Sequence, residues 1–493
     1  APAIALWASR SPRIAPRQTL AEPDAEELRL IARRTWRFFE TFVTPADNML
    51  PPDNFQEDPK PVVARRTSPT NMGLYLLSAI TARDFGWAGT LQTLDRLEAT
   101  LDSMSRLQRH RGHFFNWYAT EDMRALEPPY VSAVDSGNLA GHLIALANAC
   151  EEWLEVPTAP NARAGLQDTL VLIRQAMTAL PSASGERGRP LSELIDEISA
   201  QLGEEQALDT LSATLQQRAE KAARLGLELC PPGEDDESSD LRFWIDALGQ
   251  TLAEHARDRQ LQGETLSDAQ ARLRELSRTT RQMALEMDFA FLLDPERKLL
   301  SIGYGLAENS LDPSCYDLLA SEARLASLFA IAKGDVTTRH WFRLGRTATP
   351  LGNGSALISW SGSMFEYLMP SLVMRAPAGS LLEQTNSLVV QRQQEYGNDR
   401  NVPWGVSESA YHARDMEFTY QYSNFGVPGL GLKRGLAENL VIAPYATGLA
   451  TMVDAPGAQA NFRRMAAMGA VGRYGFYEAL DFTPARLPDG QSF

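Results

Sequence analysis

The stretch Asp24–Val43 reads DAEELRLIARRTWRFFETFV and carries the pattern that decides the fold. Acidic residues stand at its start and apolar residues recur at helical spacing, which predicts an amphipathic α-helix with one face toward a core. Residues 70–86 and 137–154 repeat the pattern, each with small residues on one face that allow close contact between helices. The sequence shows no βαβ alternation, so it predicts an all-α architecture.

The C-terminal part of the sequence continues this helical character. Helices are predicted at residues 321–334, 364–372, 387–397 and 461–480. Gly334 is expected to end the first of them, because glycine readily adopts the left-handed conformation of a helix C-terminus. Short hairpins are predicted near residues 299–304 and 357–360. Paired helices arranged as a toroid would gather their long loops at one end, around a central cleft.

Composition divides the chain into three parts. Residues 1–156 hold an N-terminal lead-in and the first helices of the main body. Residues 157–283 are rich in Leu, Ala, Arg, Glu and Gln, and their only aromatics are Phe243 and Trp244, so we interpret them as an inserted helical hairpin or bundle. Residues 284–493 return to dense aromatics and glycines, and we expect their loops to carry the chemistry.

Charge and composition exclude several classes of protein. The 493 residues carry a formal net charge of -15, which disfavours nucleic acid and anionic membranes as partners and suits a neutral substrate. No run of about 18 apolar residues is available to insert into a membrane. Cys150, Cys230 and Cys315 lack zinc spacing and fit a reducing compartment. The first segment has neither a methionine nor a secretion signal, and we expect a piece of a longer polypeptide.

Residues 398–425 read NDRNVPWGVSESAYHARDMEFTYQYSNF and mix aromatic rings with carboxylates and amides. Enzymes that act on sugars need this mixture, because flat rings stack on the apolar faces of pyranoses while polar groups bind the hydroxyls. Glu408 follows a Pro-Trp-Gly turn, so we expect a loop to hold it at the rim of a cleft. The alternative is an aromatic-rich core loop in which Glu408 is simply solvated.

Three further groups of residues leave structural and functional interpretations open. Glu366 is either a catalytic carboxylate or a packing residue of the barrel interior. Either Asp135 or Ser136 is expected to cap a helix, and the other interpretation of Asp135 is that it binds sugar hydroxyls together with Asn138. His110 and His113 are spaced like a metal pair but lack a third ligand nearby, so neither a metal nor a cofactor is expected.

Six longer motifs follow one another along the chain. They are RRTSPTNMGLYLLSA (65–79), HFFNWYAT (113–120), YVSAVDSGNLAGHL (130–143), CYDLLASEARLASLFAIAKGD (315–335), SWSGSMFEYLMP (359–370) and PWGVSESAY (403–411). In these motifs and their order, the chain resembles the glycoamylase-like domain of cyclic β-1,2-glucan synthases. The resemblance covers nearly the whole chain except the helical insertion.

The resemblance implies an (α/α)6 toroid that closes linear β-1,2-glucan into a ring by transglycosylation. The resemblance also implies that the chain is the middle part of a large protein of the bacterial inner membrane and that it lies on the cytoplasmic side. A glycosyltransferase module would precede this part, and a phosphorylase-like module would follow it in the same polypeptide. The segment itself is not expected to insert into the membrane.

Ring closure without a nucleotide donor requires that a covalent glycosyl-enzyme keep the energy of the broken bond. Such a retaining mechanism needs a nucleophilic carboxylate and an acid/base carboxylate about 5 Å apart. Glu408 and Glu322 lie in motifs that match the family, and we predict Glu408 as the nucleophile and Glu322 as the acid/base. The alternative for Glu322 is structural, because a carboxylate that opens a helix is favoured by the helix dipole alone.

The other predicted site residues would bind the glucan. The predicted stacking surfaces are Trp360, Phe365, Trp404, Tyr411 and Phe425, the predicted hydroxyl ligands are Asp135, Asn138 and Arg324, and Glu366 is the substitute for either catalytic carboxylate. Aromatic residues also build cores, so we expect roughly half of these rings to be packing residues.

Two other functions stay open at the level of sequence. One is an endo-β-1,2-glucanase built on the same barrel. Inverting glucanases hydrolyse the bond with a wider separation of the two carboxylates, which admits a water molecule between them. The other is a non-catalytic module that binds β-1,2-glucan and feeds neighbouring active sites. Exclusion of water depends on loop closure, which the motifs do not reveal.

Overall fold

The computed structural model describes residues 19–155, 160–180, 185–203, 208–231, 236–487, 490 and 493. Most of the N-terminal lead-in that the sequence suggested lies outside these residues. The α-helices are α1 Glu22–Phe42, α2 Pro69–Asp84, α3 Thr90–Arg106, α4 Ala133–Glu155, α5 Ala162–Ala179, α6 Arg189–Gly203, α7 Leu208–Leu229, α8 Asp236–Asp258, α9 Gly263–Glu286, α10 Arg324–Lys333, α11 Arg339–Arg343, α12 Met364–Leu368, α13 Leu381–Asp399, α14 Pro444–Ala450 and α15 Ala455–Ala467. Short 3-10 helices cover Pro45–Asp47, Phe289–Leu292, Met369–Leu372, Leu436–Glu438 and Pro484–Arg486.

The strands are short and form small sheets in the loops. They are β1 Phe55–Gln56, β2 Val62–Val63, β3 Arg66–Thr67, β4 Arg109–His110, β5 His113–Phe114, β6 Tyr118–Ala119, β7 Tyr130–Ser132, β8 Gly303–Gly305, β9 Ser310–Leu311, β10 Ala348–Leu351, β11 Gly354–Leu357, β12 Ser409–Arg414, β13 Tyr420–Ser423, β14 Val441–Ile442, β15 Val471–Gly472, β16 Gly475–Phe476 and β17 Leu480–Asp481. All of these strands pair antiparallel. The sheets have two strands each, except for one three-stranded sheet in the order β7-β8-β9.

Most of the predicted elements are confirmed. The three early amphipathic segments form α1, α2 and α4. Helix α10 ends as predicted at Gly334, whose φ of 92° lies in the left-handed region. The strand signal near residues 299–304 corresponds to β8, which lies between two partners rather than in a simple hairpin.

The helix predicted at residues 461–480 is wrong in its second half. Helix α15 ends at Ala467, and the chain continues into the hairpin β15-β16. Gly469 has a φ of 84°, a conformation that stops a helix and that only glycine adopts without strain. Gly472 and Gly475 interrupt the apolar residues that follow, and this spacing favours a tight turn rather than another helical face.

Three apolar clusters organise the molecule. The first unites α1, α2, α3, α4 and α9 with the loop that follows α9. The second draws its members from residues 319 to 482 and includes apolar side chains of α12, α13, α14 and α15. The third lies within α5, α6, α7 and α8, where Leu and Ile side chains pack around the buried ring of Trp244.

Helices α5 to α8 correspond to most of the predicted insertion, and the name insertion is kept here for the described residues within 160–258. Helix α9, which the composition assigned to the same part, packs along α4, and its Leu273, Leu276 and Met283 belong to the first cluster. Its packing therefore groups α9 with the main body. The boundaries 157 and 283 stay a prediction.

The insertion holds the loop between α2 and α3 by buried polar contacts. Asp168 accepts hydrogen bonds from the Trp87 indole N–H at 2.7 Å and from Arg29 of α1 at 2.5 Å. His255 lies 2.9 Å from the carbonyl oxygen of Gly86. Gly86 has a φ of 81°, and a Cβ atom there would meet the insertion backbone, so only glycine permits this approach.

The insertion also caps a helix of the main body. Helix α3 begins after Gly89, which has no side chain to satisfy the free N–H groups at the helix start. Asp258 satisfies two of these groups, since its carboxylate accepts from the N–H groups of Thr90 at 2.5 Å and Leu91 at 3.0 Å. Glu254 accepts from the N–H of Gly89 at 3.0 Å, and burial raises the pKa of Glu254 to about 7.

No helix within the described ranges combines the length and hydrophobicity that crossing a bilayer requires.

Replacement of Asp258 by alanine tests the cap. We expect Asp258→Ala to lower the free energy of unfolding by about 1 to 2 kcal/mol, the usual cost of a lost N-cap. Urea unfolding followed by circular dichroism would measure this cost. The control is Asp268→Ala, which removes an exposed carboxylate of α9 and should leave the midpoint unchanged. An Asp258→Ala midpoint equal to that of the wild type would contradict the capping role.

Candidate active site

Glu322 lies in a tight turn immediately before α10. The hydroxyl of Ser321 accepts a hydrogen bond from the N–H of Ala323 at 3.2 Å, which fixes the turn on both sides of the carboxylate. Helix α10 begins at Arg324, two residues further on. Glu322 therefore precedes the helix instead of forming part of its first turn.

Glu408 precedes strand β12 and follows a backbone segment that is held firmly. The side chain of Gln393 pairs with both polar backbone atoms of Val406, each at 2.8 Å. Gly405 has a φ of 121°, so the Pro-Trp-Gly turn bends the chain as the sequence predicted. The hydroxyl of Tyr445 lies 2.7 Å from the carbonyl oxygen of Glu408 and positions the residue from the other side.

The structure places Glu322 and Glu408 close enough for the charge of one to act on the other, and we call the space that they line the cleft. Both side chains keep partial exposure to solvent while protein encloses them, as expected on the wall of a cleft. Burial raises the pKa of Glu322 well above its ordinary value, and the negative charge of Glu408 raises it further. Burial and the negative charge of Glu366 raise the pKa of Glu408 to about 7, against a hydrogen bond from Tyr422 that lowers it.

Asp135 supplies a third carboxyl group to the same cleft. The prediction that Asp135 caps its helix is wrong. The cap of α4 is Ser132, whose hydroxyl accepts a hydrogen bond from the N–H of Asp135. The Asp135 carboxylate accepts a hydrogen bond from Thr70 at 2.6 Å, and Asn138 donates to the Thr70 hydroxyl at 3.1 Å. Burial raises the pKa of Asp135, and its charge also raises the pKa of Glu322.

Three tyrosines of the cleft were not singled out from the sequence. They are Tyr316, Tyr422 and Tyr445. Burial and the negative charge of nearby carboxylates raise the pKa of each phenol, so all three stay protonated and can donate hydrogen bonds. Tyr316 stands inside the ASEAR-containing motif and Tyr422 inside the aromatic window, so both lay in stretches that the sequence had marked.

Glu366 is a structural carboxylate. It is 9% exposed, and the segment around it surrounds its oxygens with donors. Its Oε2 accepts from the hydroxyls of Ser359 at 2.7 Å and Ser361 at 2.6 Å and from the N–H of Gly362 at 3.0 Å. Because these donors occupy the carboxylate, the packing interpretation fits Glu366 better than a catalytic or sugar-binding role.

Arg324 points into the protein and not into the cleft. It is 2% exposed, and its guanidinium donates to the backbone carbonyl oxygens of Ser321 at 3.0 Å, Glu366 at 2.9 Å and Tyr367 at 2.5 Å. The terminal nitrogens are thus engaged with backbone. The predicted contact of Arg324 with sugar hydroxyls finds no support in this arrangement.

The predicted stacking aromatics fall into two groups. Trp404 and Phe425 are each 6% exposed and belong to the second apolar cluster, and Tyr411 packs edge-on against Phe425. These rings build the core beneath the cleft. Trp360 is 58% exposed, and Phe365 is partly exposed beside Tyr445, so these two rings are available to a ligand.

The two histidines considered as a metal pair are His110 and His113. The residues that the structure describes include no group of three or more His, Cys, Asp or Glu side chains arranged to hold an ion. His113 bonds Ser136 at 2.8 Å, and burial lowers the pKa of His113 to about 4. This histidine is a neutral core residue.

Comparison with known proteins identifies the class. Residues 315–488 match the Glycoamylase family model. Endo-beta-1,2-glucanase from Talaromyces funiculosus superimposes with a TM-score of 0.59 at 11% identity, covering 94% of this chain and 81% of that one. Endo-beta-1,2-glucanase from Chitinophaga pinensis gives a TM-score of 0.54 at 11% identity, covering 94% and 88%. The fold is therefore the (α/α)6 toroid of glucoamylase-like proteins, as predicted.

Sequence similarity to one curated protein is much higher. The chain is 48% identical over 500 aligned residues to the cyclic beta-(1,2)-glucan synthase NdvB of Rhizobium meliloti (strain 1021), and the alignment covers 99% of the chain. The chain spans only 18% of that relative's length. The chain is thus a homologue of a segment of cyclic β-1,2-glucan synthase, and the resemblance drawn from its motifs is confirmed.

Glu408 should destabilise the folded chain at alkaline pH. Its folded pKa of about 7 lies above the ordinary 4.5, so the proton favours the folded state and stability is lost as pH rises between these values. Glu408→Gln removes this ionisation and should stabilise the fold at pH 8 by about 1 to 3 kcal/mol, since one pKa unit equals about 1.4 kcal/mol. Thermal melts at pH 5 and pH 8 would measure the gain.

The matched control for this prediction is Glu296→Gln, which changes an exposed glutamate and should shift neither melt. A gain from Glu408→Gln that is equal at both pH values would show that the carboxyl group is not held protonated by the fold.

Proposed function

We propose that this chain is an anomer-retaining transglycosylase that closes linear β-1,2-glucan into a ring. Glu408 acts as the nucleophile and Glu322 as the acid/base. The observation that supports this most is the pairing of these two carboxyl groups in one cleft, where the charge of one raises the pKa of the other. The name of the 48% identical relative supplies the substrate class.

In the first step, the carboxylate of Glu408 attacks C1 of a glucosyl residue. The bond from C1 to the 2-oxygen of the next residue breaks, and that oxygen takes the proton of Glu322. The product is a covalent glycosyl-enzyme ester and a released chain end. A raised pKa keeps Glu322 protonated until this moment, which is the requirement of a general acid.

In the second step, the non-reducing end of the same glucan attacks C1. Its 2-hydroxyl loses a proton to the Glu322 carboxylate, the new C1–O bond forms, and the ester bond to Glu408 breaks. Two inversions at C1 retain the β-configuration, and the enzyme returns to its starting protonation state. Tyr422, which donates a hydrogen bond to Glu408, would hold the carboxylate in its attacking orientation.

Hydrolysis is the second candidate function. Two of the solved structures with the same fold are named as endo-beta-1,2-glucanases. Hydrolysis differs from cyclisation only in the acceptor that attacks C1. A non-catalytic glucan-binding module is the third candidate, and the raised pKa values of Glu322 and Glu408 argue against it.

The context of this activity is also part of the proposal. The chain corresponds to a small part of its relative, so we propose that it receives β-1,2-glucan from a glycosyltransferase module and passes products to a phosphorylase-like module of a longer polypeptide. Such a polypeptide would lie at the cytoplasmic side of the inner membrane.

The products formed from linear β-1,2-glucan test the proposed function. The wild-type chain should form rings without a reducing end and with all linkages β, as followed by mass spectrometry and NMR. Glu322→Gln and Glu408→Gln should each lower the rate by about 10²- to 10⁴-fold, the usual contribution of such groups. Glu296→Gln should retain full activity, because its side chain is exposed on a turn.

Linear fragments with newly formed α reducing ends would instead establish an inverting hydrolase. No turnover, combined with retained glucan binding, would establish the binding module.

The pH profile gives an independent test of the two roles. Activity should rise as pH increases through about 7, because the nucleophile Glu408 must lose its proton. It should fall again at higher pH, where Glu322 can no longer donate a proton, since its pKa is raised well above the ordinary value. Initial rates measured between pH 5 and pH 10 would show this bell-shaped dependence of the rate on pH. A profile that is flat across neutral pH would contradict the assignment.

A further inference from the structure

We propose that Arg324 and Glu366 are positioning residues that set the separation of Glu322 and Glu408. They act through the segment 359–367, which we call the brace. The expected change in products rests on the proposed function. The hydrogen bonds that support the inference are the same whichever reaction the chain catalyses. Neither residue points its charged group at a substrate, so neither is itself catalytic.

Glu366 holds the brace in one shape. Its carboxylate accepts from the hydroxyls of Ser359 and Ser361 and from the N–H groups of Ser361, Gly362 and Ser363, at distances from 2.6 to 3.3 Å. A carboxylate with this many donors from one short segment converts a loop into a rigid unit. Tyr367 adds a second anchor, since its hydroxyl accepts from the N–H of Ser359 at 3.0 Å.

Arg324 connects one side of the brace to Glu322. One terminal nitrogen of its guanidinium donates to the carbonyl oxygens of Ser321 and Glu366, and the other donates to that of Tyr367. Ser321 is the direct neighbour of Glu322. A planar guanidinium can bridge two segments with fixed geometry, which a lysine ammonium cannot do.

The other side of the brace connects to Glu408. The N–H of Met364 donates to the carbonyl oxygen of Val406 at 3.2 Å, and the N–H of Phe365 donates to the hydroxyl of Ser407 at 3.1 Å. Ser407 is the direct neighbour of Glu408 and is fully buried. The brace therefore links the residues next to both catalytic carboxylates through hydrogen bonds between buried groups.

The separation of the carboxylates matters for the outcome of the reaction. A retaining enzyme needs its two carboxyl groups about 5 Å apart, and a larger separation makes room for a water molecule. A brace that loosens should slow formation of the glycosyl-enzyme and let water compete with the glucan end. Arg324 and Glu366 should thus control both the rate and the ratio of rings to linear products.

The test compares Arg324→Lys and Ser407→Ala with the wild-type 493-residue chain on linear β-1,2-glucan. Both variants should lower kcat about ten- to hundredfold with little change in KM, and should lower the ratio of rings to linear products several-fold. Ser407→Ala breaks the brace on its opposite side and supplies a second test if Arg324→Lys does not fold. Glu366→Gln, which loses acceptors, should behave in the same way.

Arg346→Lys is the matched control. Arg346 also donates to two backbone carbonyl oxygens, those of Leu344 and Trp341, but both lie in its own segment. Its replacement should leave kcat and the product ratio unchanged.

A measurement without turnover separates this inference from the proposed function. If the brace holds the carboxylates together, the stabilisation that Glu408→Gln brings at pH 8 should shrink in the Arg324→Lys background. Folded brace variants with wild-type kcat, product ratio and pH-dependent stability would overturn the inference. A wild-type chain that forms no rings would overturn the proposed function alone, because kcat and stability would still report on the brace.

Discussion

Carboxyl groups that share an enclosed cleft impose the constraint on which the rest of this structure depends. Burial disfavours ionisation of Glu322, Glu408 and Asp135, and the charge of one opposes ionisation of the next. The cleft therefore retains protons at pH values where exposed carboxylates have lost them. This arrangement costs stability, and the protein maintains it because the surrounding segments are fixed by many buried hydrogen bonds.

Those fixed segments are of two kinds. Near the cleft, the carboxylate of Glu366 and the guanidinium of Arg324 organise backbone, and both are removed from contact with a ligand. Far from the cleft, Asp168 and Asp258 of the insertion hold the loop and the helix start that follow α2. In both places a charged side chain satisfies backbone groups that a loop or helix end would otherwise leave without partners.

Particular residues show how far the motifs could be interpreted. Glu322 and Glu408 were selected because they stand among small residues within long motifs, and the structure places them together, although their catalytic roles remain a proposal. Trp404 and Phe425 came from the same aromatic window but lie in the core, while Tyr422 from that window faces the cleft. Composition marks a stretch rich in aromatic rings, but the strand register and the turn at Gly405 decide which rings point inward.

The sequence by itself determined the all-α class, the early helices and the end of α10, because hydrophobic periodicity and glycine at a helix end act locally along the chain. It also determined the relationship to cyclic β-1,2-glucan synthase, because long motifs are specific. Only the tertiary structure decided that α9 packs with the main body, that Glu366 and Arg324 face inward, and that Asp258 caps α3. Each of these depends on contacts between residues far apart in sequence, and no local pattern encodes such contacts.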